Sequence, residues 1–123
     1  MDQGILFEGL GYDVMMLQQR LSSPNLRLVA AGTGALNGNC PVNTWAIATA
    51  LFHGANSSLA INKTPPVAQN LGTSAGGGFT PGGYPNGSLL SNTQVAEVLI
   101  YAAAHDANTQ RRLLALCRPP NLR

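Results

Sequence analysis

Apolar residues recur along this chain at spacings that suggest helices separated by loops. Val14, Leu17 and Leu21 stand three and four residues apart, the spacing of one helix face, and predict a first helix from about Tyr12 to Leu21. Asp13 sits at its start, where a carboxylate suits the helix dipole. Ser22-Ser23-Pro24 ends it, because proline cannot continue the hydrogen-bond ladder. Leu26, Leu28 and Val29 then read as a short extended piece, and Gly32, Gly34 and Gly38 as a loop. A second helix is expected from about Thr44 to His53, capped by Asn43, with Trp45, Ala48, Leu51 and Phe52 on its apolar face and Gly54 as its stop. A third starts near Thr93, with Ser91 and Gln94 at capping-box spacing and Val95, Val98, Leu99 and Ala102 on one face. Either Asp106 caps a fourth segment running through Leu116, or the third helix runs on. Arg111, Arg112 and Arg118 fall late, where positive charge suits a helix C-terminus, and Pro119-Pro120 close the pattern.

Two stretches fall outside this periodicity. Residues 1–11 hold Ile5, Leu6, Phe7 and Leu10 among glycines and read as an extended N-terminal arm that docks on its own core or a neighbour. Residues 55–90 carry seven glycines between Gly72 and Gly87, together with Pro65, Pro66, Pro81 and Pro85. A loop of this length is unusual in a compact domain. Its scattered apolar residues, Leu59, Ile61, Val67, Leu71, Phe79 and Tyr84, suit an extended loop ordered by contact with neighbouring chains. The expected fold class is therefore mostly α. A single domain of three to four bundled helices is divided into an arm (1–11), helices 1 and 2 (12–54), a long Gly/Pro-rich loop (55–90), and C-terminal helices with a Pro-rich tail (91–123).

The most specific signal is internal. Asn37-Gly38 is followed after four residues by Asn43-Thr44, and Asn86-Gly87 after four residues by Asn92-Thr93; each is then followed by an apolar run. Asn-Gly makes tight turns because both residues tolerate positive φ. With Val14-x-x-Leu17-Gln18-x-x-Leu21 upstream, this unit resembles the small three-helix peptidoglycan-binding domains, whose turns read D-G-x-x-G-x-x-T. Asn37, Gly38 and Thr44 match the first turn, and Asn86, Gly87 and Thr93 the second. Phe52 answers the family's aromatic one residue late. Asparagine replaces the aspartate in both turns, and Pro41 and Leu90 stand where the family has its middle glycine. The resemblance implies a helical core and a binding surface formed by Asn37, Gly38, Asn43, Thr44, Trp45, Asn86, Gly87 and Thr93, with peptidoglycan as its ligand. Read without the family, the same asparagines and threonines simply satisfy helix starts, and Trp45 is a core or interface anchor.

Composition narrows the classes. Of 123 residues only 10 % are charged, against about a quarter in ordinary domains, while 45 % are hydrophobic. A polar surface built from Asn, Gln, Ser, Thr and Gly tolerates close packing against neighbours. A net charge of +2, with no basic run interleaved with aromatics, argues against nucleic acid as a partner. No run reaches the roughly 20 apolar residues of a membrane span, and the chain opens with no secretory signal. Cys40 and Cys117 read either as two buried thiols or as a disulfide, and no spacing suggests a metal site or cofactor.

The acids Asp2, Glu8, Asp13, Glu97 and Asp106 and the histidines His53 and His105 form no catalytic motif, and a Cys40–His53 nucleophile pair lacks any supporting pattern. The expectation is a non-catalytic structural virion protein, a bacteriophage tail or baseplate component assembled in the host cytoplasm, with other virion proteins and, through the family likeness, peptidoglycan as partners. A free wall-binding module of a lytic system is the alternative, and a small cytoplasmic enzyme the third reading.

Overall fold

The computed structural model describes residues 3–9, 15–20, 25–30, 34–41, 43–73, 78–83, 86–88 and 90–117. Their architecture is mainly β. Strands β1 (Gln3–Glu8), β2 (Met15–Arg20), β3 (Asn25–Ala30) and β4 (Gly34–Asn39) form an antiparallel meander, to which the two-residue β8 (Thr80–Pro81) adds beyond β1. Strands β5 (Ala48–Leu51), β6 (Ser57–Ile61) and β7 (Val67–Gln69) form a second antiparallel sheet, with β6 in the middle. One α-helix, α1 (Ala107–Leu116), follows near the C-terminus.

This arrangement overturns the expected helix bundle, and the reason is visible in the burial. Register aligns Phe7 with Leu17 and Leu17 with Leu28, and sets Met15 against Ala30. These residues face the second sheet, where Leu59 and Ile61 of β6, with Leu71 just beyond β7, complete the buried cluster with Leu17, Leu26, Leu28 and Ala30. The opposite face is covered as well: Glu8, Met16, Gln18 and Val29 are all buried. A strand buried on both faces loses its apolar–polar alternation and reads as a continuous apolar run. Met15-Met16-Leu17 is such a run. The spacing of Leu17 that suggests a first helix belongs instead to β2; the rest of that expected helix, residues 12–14 and 21, lies outside the described residues, as does the Pro-rich tail.

The second expected helix is also replaced. Trp45 to Ile47 have no regular structure, and β5 occupies Ala48–Leu51. The 55–90 segment is not a structureless loop, because it supplies β6, β7, β8 and a short 3-10 turn at Gly54–Asn56. Strand β6 is buried along its whole length and pairs on both sides, Ala50 against Leu59 and Leu59 against Val67. The N-terminal segment is extended as expected, yet it is no free arm: β1 lies between β2 and β8. A bulge between Ile5 and Phe7 shifts its register, and the Leu6 carbonyl there accepts from Gly82 N at 2.9 Å. The Phe7 ring then meets Phe52 edge-on at 6.2 Å and Phe79 at 5.3 Å, tying β1 to the end of β5 and the approach to β8.

The hairpin between β6 and β7 turns on Asn62, which adopts a left-handed φ of 55°. Its backbone N–H donates to the Ile47 carbonyl at 2.7 Å, and its side-chain oxygen accepts from Ile47 N at 2.9 Å. Asparagine tolerates this region better than other side chains. Asn62→Ala is expected to destabilise the fold by about 1–2 kcal/mol through a lost hydrogen bond and a strained backbone, and Asn62→Gly by less. Urea denaturation of the two variants checks the order.

Candidate functional site

The residues expected to form a binding groove occupy dissimilar structures. Asn37 and Gly38 lie inside β4, at register positions opposite Arg27 and Leu26, and open no helix. Gly38 is there for packing: a Cβ on it would sit 2.6 Å from Ile61 Cγ1. Asn43 takes a left-handed φ of 58° in an exposed turn, where the Thr44 hydroxyl donates to the Pro41 carbonyl at 2.6 Å. Trp45 is exposed beside them. Asn86-Gly87 does form a turn. Gly87 has φ 78°, and the Asn86 side-chain oxygen accepts from Ser88 N at 3.0 Å and from the Ser88 hydroxyl at 2.7 Å. Thr93 is exposed, its hydroxyl in contact with that of Ser91, and begins no helix. The repeated sequence unit is thus a strand in one copy and a turn in the other. Thr44 in the first copy and Asn86 in the second are engaged in local turn geometry.

Asp106 and His105 are engaged in local structure. Asp106 is the N-cap of α1, as one of the two sequence readings has it, and its carboxylate accepts from Thr109 N at 2.7 Å. These hydrogen bonds from Thr109 hold its carboxyl below the ordinary range, with a further small contribution from His105. The folded-state value is depressed, so the cap's contribution is present above the unfolded carboxylate range and lost as pH falls through the folded value. Acidification is therefore expected to fray the first turn of α1. Asp106→Asn should keep a cap while removing that pH dependence. The Thr109 amide signal in an NMR titration reports both.

The Tyr101 and His105 rings meet at a tilt of 58° with centroids 4.4 Å apart, and the His105 carbonyl accepts from Gln110 Nε2 at 2.8 Å. Cys40 and Cys117 are free thiols, each half-buried. Burial pushes the Cys40 thiol up, which disfavours the thiolate a nucleophile needs. His53 and Glu97 are exposed. Among the described residues no group of three or more His, Cys, Asp or Glu could hold a metal ion, and no helix is long and apolar enough to cross a membrane.

What stands out is a surface that residue-by-residue motif reading missed. From Asn92 to Ala104 every residue is exposed and none belongs to a helix or strand. The segment includes Val95, Val98, Leu99, Ile100 and Tyr101, with Leu90 just before it and Leu116 beyond. The third helix expected here does not form. Its apolar face has no covering element, and an isolated helix this short is marginal in water. The signal available in the sequence was the run Val95–Ala104 itself, in which Glu97 is the one charged residue.

No family model, no curated protein and no solved structure matches this chain. The likeness to peptidoglycan-binding domains is withdrawn on the fold: β2 and β5 stand where that family's first two helices would be, and an irregular segment where the third would be. The expectation of a phage tail part rested partly on that helical core, and that part of its support is gone; the charge-poor surface on which it also rested is unchanged.

Proposed function

We propose that this chain is a non-catalytic building block that works by associating with other protein chains. The observation that carries this reading is the exposed apolar run between Leu90 and Tyr101. Its side chains present on the order of 600 Å² of mostly apolar surface, at the upper end of what a typical monomer exposes in its largest patch. Ile100 is 67 % exposed and Leu90 71 %. At about 25 cal/mol per Å², covering such a patch is worth roughly 10 kcal/mol or more before the costs of ordering and association are subtracted. The low charge supports the same reading. With 10 % charged residues the surface has little electrostatic repulsion to keep copies apart. The net charge of +2 gives no comparable support for a nucleic-acid partner.

Sedimentation velocity of the purified full chain over a wide concentration range tests the proposal. The expected result is reversible formation of dimers or larger species. A chain that stays monomeric, and that captures no partner chain in its source, contradicts it.

A further inference from the structure

Building on that reading, we infer that the exposed segment 94–104 is a donor strand that adds to the open edge at β7 of a second copy of this chain, in a reciprocal exchange. The segment is chemically a strand in waiting. Val95, Val98, Ile100 and Tyr101 are β-branched or aromatic, the types that fit a pleated surface. In an extended conformation Ala96, Val98, Ile100 and Ala102 share one face, which is apolar from residue 96 on, while Glu97 falls on the other. Two other apolar runs with helix-like spacing, at β2 and β5, are strands.

The receiving edge is also present. In the order β5-β6-β7, strand β7 is terminal, so among the described residues no strand lies beside its outer edge. All three of its residues are exposed, and Val67 is 69 % exposed although it stands at the register position opposite buried Leu59. The other terminal strands fit less well. β8 is two residues long, β4 packs against β6, and three of the four β5 residues are half-buried. An incoming strand would extend a three-stranded sheet to four and cover Val67. Main-chain hydrogen bonds supply affinity and alternate side chains supply selectivity in this mode of recognition.

A second copy is the occupant that the areas and charges favour. Each chain carries both a donor segment and a receiving edge, so a two-fold pair uses both twice. Two donor segments expose on the order of 500 Å² each, and the two receiving edges they cover bring the pair toward the ~1,200 Å² at which stable interfaces begin. The charges agree as well. Glu97 is the one charged residue of the donor, and Lys63, the only lysine of the chain, lies in the hairpin that leads into β7. Both are exposed.

The test uses two full-length variants whose altered side chains are exposed in the single chain, so that folding is preserved: Ile100→Asp in the donor and Val67→Lys at the edge. Each alone is expected to weaken the dimer by about tenfold or more, because a charge is buried in every donor–edge contact. An equimolar mixture should form a one-to-one heterodimer, because the intact donor of the Val67→Lys chain meets the intact edge of the Ile100→Asp chain. Isotope-labelled native mass spectrometry reads the pairing. A wild-type dimer that Val67→Lys leaves unchanged, or a mixture that stays monomeric, overturns the donor-strand inference while the assembly reading stands. A monomeric wild-type chain overturns the donor-strand inference, and it overturns the assembly reading as well when it captures no partner chain in its source.

Discussion

Gly38→Val is expected to destabilise the protein by roughly 3 kcal/mol or more, the upper end of what overpacking costs. A Cβ at Gly38 would lie 2.6 Å from Ile61 Cγ1, 3.3 Å from Ile61 Cδ1 and 3.4 Å from Leu59 Cδ2. The first of these is shorter than any tolerable carbon contact. Cγ1 is not the free end of a side chain, and Ile61 is buried on β6 with a β-branched, stiff χ1. The clash therefore has to be relieved by moving β4 away from β6, which opens the contact between the two sheets. Gly38→Ala should show the same effect in smaller form. Ile61→Ala creates a cavity on its own, but in combination with Gly38→Ala it should recover stability, giving a coupling of about 1 kcal/mol or more in a double-mutant cycle. Gly38→Ala at wild-type stability would mean that the two sheets do not meet at this point.

The second large effect concerns Leu28, which is 0 % exposed and aligned with Leu17 across the β2–β3 pair. Leu28→Ala should cost about 2–5 kcal/mol, the transfer free energy of the lost methyl groups plus the cavity left behind. The spread depends on how far neighbouring Leu17, Leu59 and Ile61 can close the gap. Leu116→Ala is the matched control. The same chemical change at 77 % exposure should alter stability by no more than about 0.5 kcal/mol. Chemical denaturation of both variants separates the core from the surface apolar residues, which is the distinction the functional reading depends on.

Some of this architecture can be read from the residues and some cannot. Asp106 followed by Leu113, Leu114 and Leu116 marks a capped helix, and α1 is there. Leu26, Leu28 and Val29 mark an extended piece, and β3 contains them. Asn86-Gly87 marks a turn, and Gly87 takes the positive φ that it requires. By contrast, β2 is hidden because both of its faces are covered, so Met15 to Gln18 show no alternation. β4 is hidden because its sequence, Gly34 to Asn39, has the composition of a loop; Gly38 is in a strand only because Ile61 needs the space. β6 is hidden by the surrounding glycines and prolines, although Leu59-Ala60-Ile61 is a short apolar run of the kind that central strands carry. Repeat matching between Asn37-Gly38 and Asn86-Gly87 fails for the same reason. Identical residues serve a close sheet contact in one place and a tight turn in the other.

The candidate interface was legible only as composition. Val95, Val98, Leu99 and Ala102 satisfy a helix face, but a helix face implies something to pack against, and the core is already complete in Leu17, Leu26, Leu28, Ala30, Leu59, Ile61 and Leu71. Nothing in the local pattern tells a residue that serves its own core from one that serves another chain. The distinction appears only when the strands are placed and the segment is left outside them.

Hydrogen–deuterium exchange of the 93–104 amides, followed at increasing protein concentration, addresses the central claim most directly. The account predicts fast exchange in dilute solution, where the segment lies open, and protection that grows with concentration as the segment is covered by another chain, while β2, β3 and β6 stay protected throughout. Fast exchange at every concentration would show that the segment binds no copy of itself, and protection that persists at the highest dilution would show that the chain buries it unaided; either result contradicts the account.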